Sequence, residues 1–167
     1  VSRHYKKLAK QLKPPEYVGP SLPVKNKVLV LVNGAHAGTL DALEYARSLS
    51  PDCEAVYVGA DPERTAVMTA AWEKFVPDIP LIVLESPYRS LINPIMRYLD
   101  EVHEELPNQR ITVIIAEFVP ANWWENMLHG NTGLLLKLAL LGRRDIVVVN
   151  VRYWLAEHEI SDSLVDA

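Results

Sequence analysis

The stretch Val28-Leu29-Val30-Leu31-Val32-Asn33-Gly34-Ala35-His36-Ala37-Gly38-Thr39 decides the architecture. Its first five residues, all valine or leucine, are too uniformly apolar to alternate between a wet and a dry face. They read as a strand buried on both sides, as in a parallel sheet. The run breaks at Asn33-Gly34, and Thr39 then reads as the cap of a helix carrying Leu40, Leu43, Ala46 and Leu49 at helical spacing.

The unit recurs along the chain. Residues 55–58 form a second apolar run, followed by Asp61-Pro62-Glu63, which places a capping carboxylate, a first-turn proline and an acid at the positive end of a helix. Residues 81–84 are a third strand. Ser86-Pro87 then reads as a helix start, with Pro94 predicting a kink or an irregular first turn before residues 95–106. Residues 111–115 are a fourth strand. Asn122 and Glu125 start a helix that is cut by His129-Gly130-Asn131-Thr132-Gly133. A second helix over residues 134–141 ends at Gly142, ahead of Arg143 and Arg144, and residues 146–149 are the fifth strand. Five solid apolar runs alternating with helices predict an α/β fold, a three-layer α/β/α sandwich with a five-stranded parallel sheet.

At 167 residues, 49% of them hydrophobic and 23% charged, the chain suits one ordinary domain and excludes a disordered or collagen-like one. The single cysteine, Cys53, excludes an intramolecular disulfide or a multi-cysteine metal site and fits a reducing compartment. The net charge of −4 conceals a division: residues 1–27 carry seven basic groups and one acid, +6, and the remainder carries ten basic and twenty acidic groups, −10. So acidic a body makes a poor nucleic-acid binder.

The basic segment has two readings, a solvated tail or the cytoplasmic flank of a membrane helix, since such flanks are rich in Lys and Arg. Residues 3–13 read as a short helix with Tyr5, Leu8 and Leu12 on one stripe, stopped by Pro14 and Pro15. Opening on Val1 rather than Met leads us to expect a piece of a longer polypeptide. No apolar run reaches the roughly 20 residues that cross a bilayer. The expected organisation is a basic juxtamembrane segment and Pro-rich linker over 1–27, the α/β domain over 28–155 and an acidic tail over 156–167.

In an open parallel sheet, ligands sit beyond the carboxyl ends of the strands, where strand order reverses. The residues expected there are Asn33, Gly34, Ala35 and His36 after the first strand, Gly59 and Ala60 after the second, Ser86, Tyr88 and Arg89 after the third, and Glu117 and Phe118 after the fourth. Gly130, Asn131, Thr132 and Gly133 open a helix whose first N–H groups are unpaired and suit a phosphate or another anion. His36 and His129 fall in these loops and read as polar walls of a cleft rather than general bases. No Walker-type loop, no GxGxxG after the first strand, no GxSxG elbow and no metal spacing among the histidines is present. The tryptophans read first as core or interface anchors.

The alternation from Val28 to Val149, with its GxxG before the last strand, resembles the universal stress protein fold, a five-stranded adenine-nucleotide-binding sandwich. Ser86-Pro87-Tyr88-Arg89-Ser90-Leu91, Phe118-Val119-Pro120 with Trp123-Trp124, Leu128-His129 and Thr132-Gly133-Leu134 are more specific. Together they resemble the cytoplasmic C-terminal domain of bacterial amino-acid permease-like transporters of the APC superfamily, potassium importers of KimA type included. The resemblance implies a regulatory domain rather than an enzyme, one that is joined to the transmembrane domain of its own polypeptide, forms a homodimer and binds no nucleic acid. No cofactor is required. The implied regulatory ligand is an adenine nucleotide: AMP, ATP or cyclic di-AMP.

By position, the resemblance puts Asn33 where stress proteins usually carry an aspartate, and Val58 where the second strand lines the adenine pocket. Gly130 and Gly133 match the GxxG of the phosphate signature, but Gly142 follows after eight residues rather than nine, with Arg143 in place of a hydroxyl. In a second register, Gly130-Asn131 matches the later Gly-Ser of that signature. Two further readings stand beside the nucleotide sensor: a structural dimerisation domain with a vestigial site, and a hydrolase or nucleotidyl transferase, for which no nucleophile, carboxylate pair or metal set is visible.

Overall fold

A computed structural model describes residues 25–86, 90–119, 136, 139–143 and 145–154. The valine and leucine run becomes β1 (Asn26–Val32), which leads through α1 (Ala37–Leu49) to β2 (Cys53–Gly59), α2 (Pro62–Phe75), β3 (Leu81–Glu85), α3 (Ile92–Glu105), β4 (Arg110–Val119) and finally β5 (Ile146–Trp154). The five strands are parallel in the order β3-β2-β1-β4-β5, an α/β sandwich of the universal-stress-protein type. The chain winds outward from β1 to β3, crosses back through α3, and lays β4 against the other side of β1. Strand order therefore reverses between β1 and β4, and the strand ends part there.

Alternation along each strand divides the core into two layers. Val28, Val30 and Ala55 pack with Ala42, Leu43 and Ala46 of α1 and Met68 and Trp72 of α2. Leu29, Val56, Ile111 and Val113 pack on the opposite face with Ile95, Leu99 and Val102 of α3, and with Leu136 and Leu140. Covering both faces explains why each strand reads as a solid apolar run. Each fully buried aliphatic side chain, such as Leu29 or Leu99 at 1% exposure, contributes about 1.5–3 kcal/mol.

Four local expectations need correction. The α1 cap is His36, not Thr39: the imidazole accepts the Thr39 N–H, and Thr39 is buried in the first turn with its hydroxyl donating to the Gly34 carbonyl at 2.7 Å. The third helix begins at Ile92, capped by Leu91 without a side-chain bond, while Ser86 lies outside any helix. Pro94 sits in the first turn of α3, where a missing N–H costs nothing, so the helix runs without interruption to Glu105. Lys27, grouped by sequence with the basic lead, lies in β1 and is only 8% exposed.

Other readings hold. Asp61 Oδ1 accepts the N–H groups of Glu63 and Arg64 at 2.9 and 3.3 Å, with Pro62 opening α2. Trp72 is a core anchor whose Nε1 donates to the Ile79 carbonyl at 2.8 Å. Residues 136 and 139–141 are helical, with a turn at Gly142. Arg143 then bonds both oxygens of Asp145 and reaches Asp100 of α3 at 2.5 Å, tying the start of β5 to that helix. These bonds hold the Asp145 carboxyl below its usual range. Tyr88, Arg89, Trp123, Trp124, His129, Gly130, Asn131, Thr132 and Gly133, with the acidic tail, lie outside the described residues.

Candidate functional site

A crevice of about 400 Å³ opens at the carboxyl ends of β1, β2 and β4, on the α3 side of the sheet. It lies within the range of about 300–1,000 Å³ typical of small-molecule clefts. Leu31, Val58 and Ile115 form its floor, Leu91, Ile95 and Leu136 wall it, and the exposed Asn33 supplies a polar group at the end of β1. The floor follows from strand parity: residues 29, 31 and 33 face one side, as do 56 and 58. The cleft can hold a flat apolar ring and offer hydrogen bonds where the chain leaves β1.

The turn after β1 is held by its own side chains. His36 Nε2 lies 2.9 Å from Asn33 Oδ1, and His36 Nδ1 lies 3.2 Å from the Thr39 backbone nitrogen. A Cβ on Gly34 would come 3.2 Å from the His36 ring, so glycine lets the imidazole lie against the turn. Burial pushes the His36 imidazole below its usual value of 6.5, favouring the neutral ring. Ala35 packs toward the α1 layer rather than the crevice.

Of the residues expected at the site, the structure brings Asn33 and Val58 together in the cleft, with Gly34 and His36 shaping the turn beside it. Ser86 is placed elsewhere. It is 3% exposed, its N–H donates to the Gly59 carbonyl at 2.9 Å, and its hydroxyl donates to the Ser90 carbonyl at 2.7 Å. It borders a separate cavity of about 870 Å³ between α2 and β3, which Asp61, Glu73 and Glu85 also line. The hydroxyls of Thr65 and Thr69 in that cavity donate back to helix carbonyls at 2.7 and 2.9 Å, leaving it acidic and short of donors.

Sequence reasoning missed the apolar walls Leu91, Ile95, Ile115 and Leu136. Strand parity carried a signal for Ile115, but nothing local said that α3 would roof this end of the sheet. It also missed a polar cluster at the opposite, amino end. There Lys27 Nζ donates to Asp52 Oδ1 at 2.7 Å and Glu54 Oε1 at 2.5 Å, and the Tyr98 hydroxyl donates to Glu54 Oε2 at 2.9 Å. Burial, and then the bond to Glu54, push the Tyr98 phenol well up from its usual range. Cys53 beside it is buried, which raises its thiol pKa and favours the protonated form. Among the described residues no group of three or more His, Cys, Asp or Glu could hold a metal ion, and no helix is long and apolar enough to cross a membrane.

A doubly wound α/β domain with an apolar crevice at its switch point has the architecture in which ligands, where bound, lie beyond the strand ends. Comparison with known proteins makes the assignment specific. The chain belongs to the family described as the KimA potassium transporter C-terminal domain, whose profile matches residues 24–153. It is 28% identical over 159 residues to "Potassium transporter KimA" of Bacillus subtilis (strain 168), an alignment that covers 92% of this chain and 25% of that protein. The chain thus spans about a quarter of the length of that relative.

Proposed function

We propose that this chain is the cytoplasmic regulatory domain of an APC-type membrane transporter for potassium or an amino acid. In this reading it is joined to the transmembrane part of its own polypeptide, forms a homodimer, catalyses no reaction and binds an adenine nucleotide, with cyclic di-AMP among the candidates. The observation that carries the reading is the apolar switch-point crevice with Asn33 at its end, in a chain whose family is that of a transporter domain. Regulation then follows from differential binding: the nucleotide biases transport by preferring one arrangement of the domains.

Calorimetry and thermal denaturation with AMP, ATP and cyclic di-AMP test the reading. A ligand present at 100 times its dissociation constant stabilises the fold by about 2.7 kcal/mol, a clear rise in melting temperature. No heat and no thermal shift with any of the three would remove the nucleotide from the proposal.

A second reading, a dimerisation domain with a vestigial cleft, draws on a different observation. Leu141 is 71% exposed, and Val147 of the edge strand β5, which pairs only with β4 among the described residues, is 43% exposed. Deleting the domain from the full-length transporter separates the two. Loss of assembly with an unchanged nucleotide response favours the scaffold.

A further inference from the structure

Resting on the nucleotide reading of the crevice, the geometry of the β1 turn assigns a direction to the hydrogen bond that Asn33 offers. We propose that His36 is a positioning residue: it locks the Asn33 carboxamide with its N–H groups available to the cleft, so the ligand group received at the end of β1 is an acceptor oxygen, not a metal ion.

The assignment starts from a donor that cannot be reversed. The Thr39 backbone nitrogen carries a proton and directs it between the His36 carbonyl at 2.9 Å and His36 Nδ1 at 3.2 Å, and a proton aimed at Nδ1 calls for a lone pair there. The Thr39 hydroxyl, 3.2 Å from Nδ1 and 3.4 Å from Nε2, directs its own proton to the Gly34 carbonyl at 2.7 Å. A neutral imidazole with a bare Nδ1 carries its proton on Nε2, and Nε2 lies 2.9 Å from Asn33 Oδ1. The imidazole donates and the amide oxygen accepts.

That bond engages the one oxygen of the Asn33 side chain. The amide is planar, so Nδ2 lies on the other side of Cγ, and among the described residues it has no hydrogen-bond partner. Asn33 is exposed and lines the crevice. The group left for a ligand is therefore a neutral pair of N–H donors. Hard cations take several oxygen ligands, and the single side-chain oxygen here, one of its two lone pairs already taken by the imidazole N–H, is a poor one. Donors match a phosphoryl oxygen or a ribose oxygen, the two sources of one acceptor chemistry.

The test uses the whole chain and three probes: adenosine, AMP and inorganic phosphate. Nitrogen-15 NMR reads the protonation of the two His36 nitrogens and follows the Asn33 side-chain amide during titration, and calorimetry gives the affinities. Two variants accompany the native chain. His36→Asn keeps a capping oxygen for Thr39 but is too short to hold Asn33, and Asn33→Asp replaces the donor with a carboxylate.

We expect a proton on Nε2 and none on Nδ1, a displaced Asn33 amide signal on ligand addition, and AMP affinity lowered about tenfold by Asn33→Asp and several-fold by His36→Asn. Adenosine moving the amide as far as AMP does points to the ribose oxygen. Inorganic phosphate moving it points to the phosphoryl oxygen.

A proton found on Nδ1 overturns the proposal, as does adenine-compound binding that leaves the Asn33 amide unmoved or is undiminished in Asn33→Asp. In those cases the nucleotide reading stands alone. If no adenine compound binds but phosphate moves the amide and Asn33→Asp abolishes the response, the nucleotide reading falls and this inference stands. If nothing binds, both fall.

Discussion

Replacing Lys27 with methionine keeps the apolar stem of the side chain and removes its charge. Its ammonium sits between Asp52 Oδ1 at 2.7 Å and Glu54 Oε1 at 2.5 Å, with side-chain exposures of 10% for Lys27, 48% for Asp52 and 21% for Glu54. Removing one partner of a fully buried pair costs about 3–5 kcal/mol, because the remaining charge is stranded. A fully exposed pair is worth only about 0–1 kcal/mol. Asp52 is half exposed and regains water. Glu54 is largely covered and keeps only the Tyr98 hydroxyl on its other oxygen.

The expected cost therefore lies between the two limits, about 2 kcal/mol, and should lower the urea midpoint by roughly 1 M at an m-value of about 2 kcal/mol/M. Urea unfolding at pH 7, followed by tryptophan fluorescence, measures it. Lys27→Met/Glu54→Gln, which keeps an acceptor for Tyr98 but removes the stranded charge, should recover most of the loss. A single variant that loses under about 0.5 kcal/mol, or a double variant as unstable as the two singles summed, would refute the reasoning. Burial alone would lower the Lys27 ammonium, but its bonds to Asp52 and Glu54 hold it above its usual 10.5. Its contribution is thus complete below about pH 10.5 and is lost only as the pH rises through the folded value. The pair lies at the foot of β1, opposite the crevice, so nucleotide affinity measured under folding conditions should not change.

Three further outcomes follow from particular contacts. Trp72→Phe removes the donor to the Ile79 carbonyl and should cost about 1–3 kcal/mol in urea unfolding. Gly59→Ala places a Cβ 2.4 Å from Thr65 Oγ1, forcing that hydroxyl off the Asp61 carbonyl, and should lose about 1 kcal/mol that the added change Thr65→Ala largely restores. Burial lowers the His36 pKa in the folded chain, so below pH 6.5 the unfolded chain takes up more proton and stability falls toward the lowered folded value. Melting temperatures at pH 7.5 and 5.5 should therefore fall more steeply for the native chain than for His36→Asn, and equal slopes would exclude this role.

The apolar runs located all five strands, but two strands outgrow them. β4 reaches Val119 and β5 reaches Trp154 because the two continue to pair beyond the end of β1, with Glu117 opposite Arg152 and Val119 opposite Trp154. Pairing partners, not composition, set those lengths. The α1 cap was misread for a related reason. Threonine is a common capping residue and histidine is not, but the turn after β1 brings the His36 ring over the Thr39 N–H in the first helical turn and turns the Thr39 hydroxyl back to Gly34.

Of the expected site residues, Asn33 and Val58 could be placed because strand parity and strand end are local properties. Ser86 occupied an equivalent position in its own strand, yet it belongs to a loop beside β3, two strands from β1, with its hydroxyl turned to Ser90.

The sequence by itself determined the five strands and the helices between the first four of them, and that the sheet is parallel and covered on both faces. Those conclusions rest on periodicity and capping, which act over a few residues. Tertiary structure alone decided that β4 turns back beside β1, that α3 roofs the resulting crevice, that the buried Lys27 meets Asp52 and Glu54, and that the His36 ring meets the Asn33 side chain. The strand order and the first two contacts join parts of the chain far apart in sequence. The short His36 contact depends on a turn geometry that no local preference specifies.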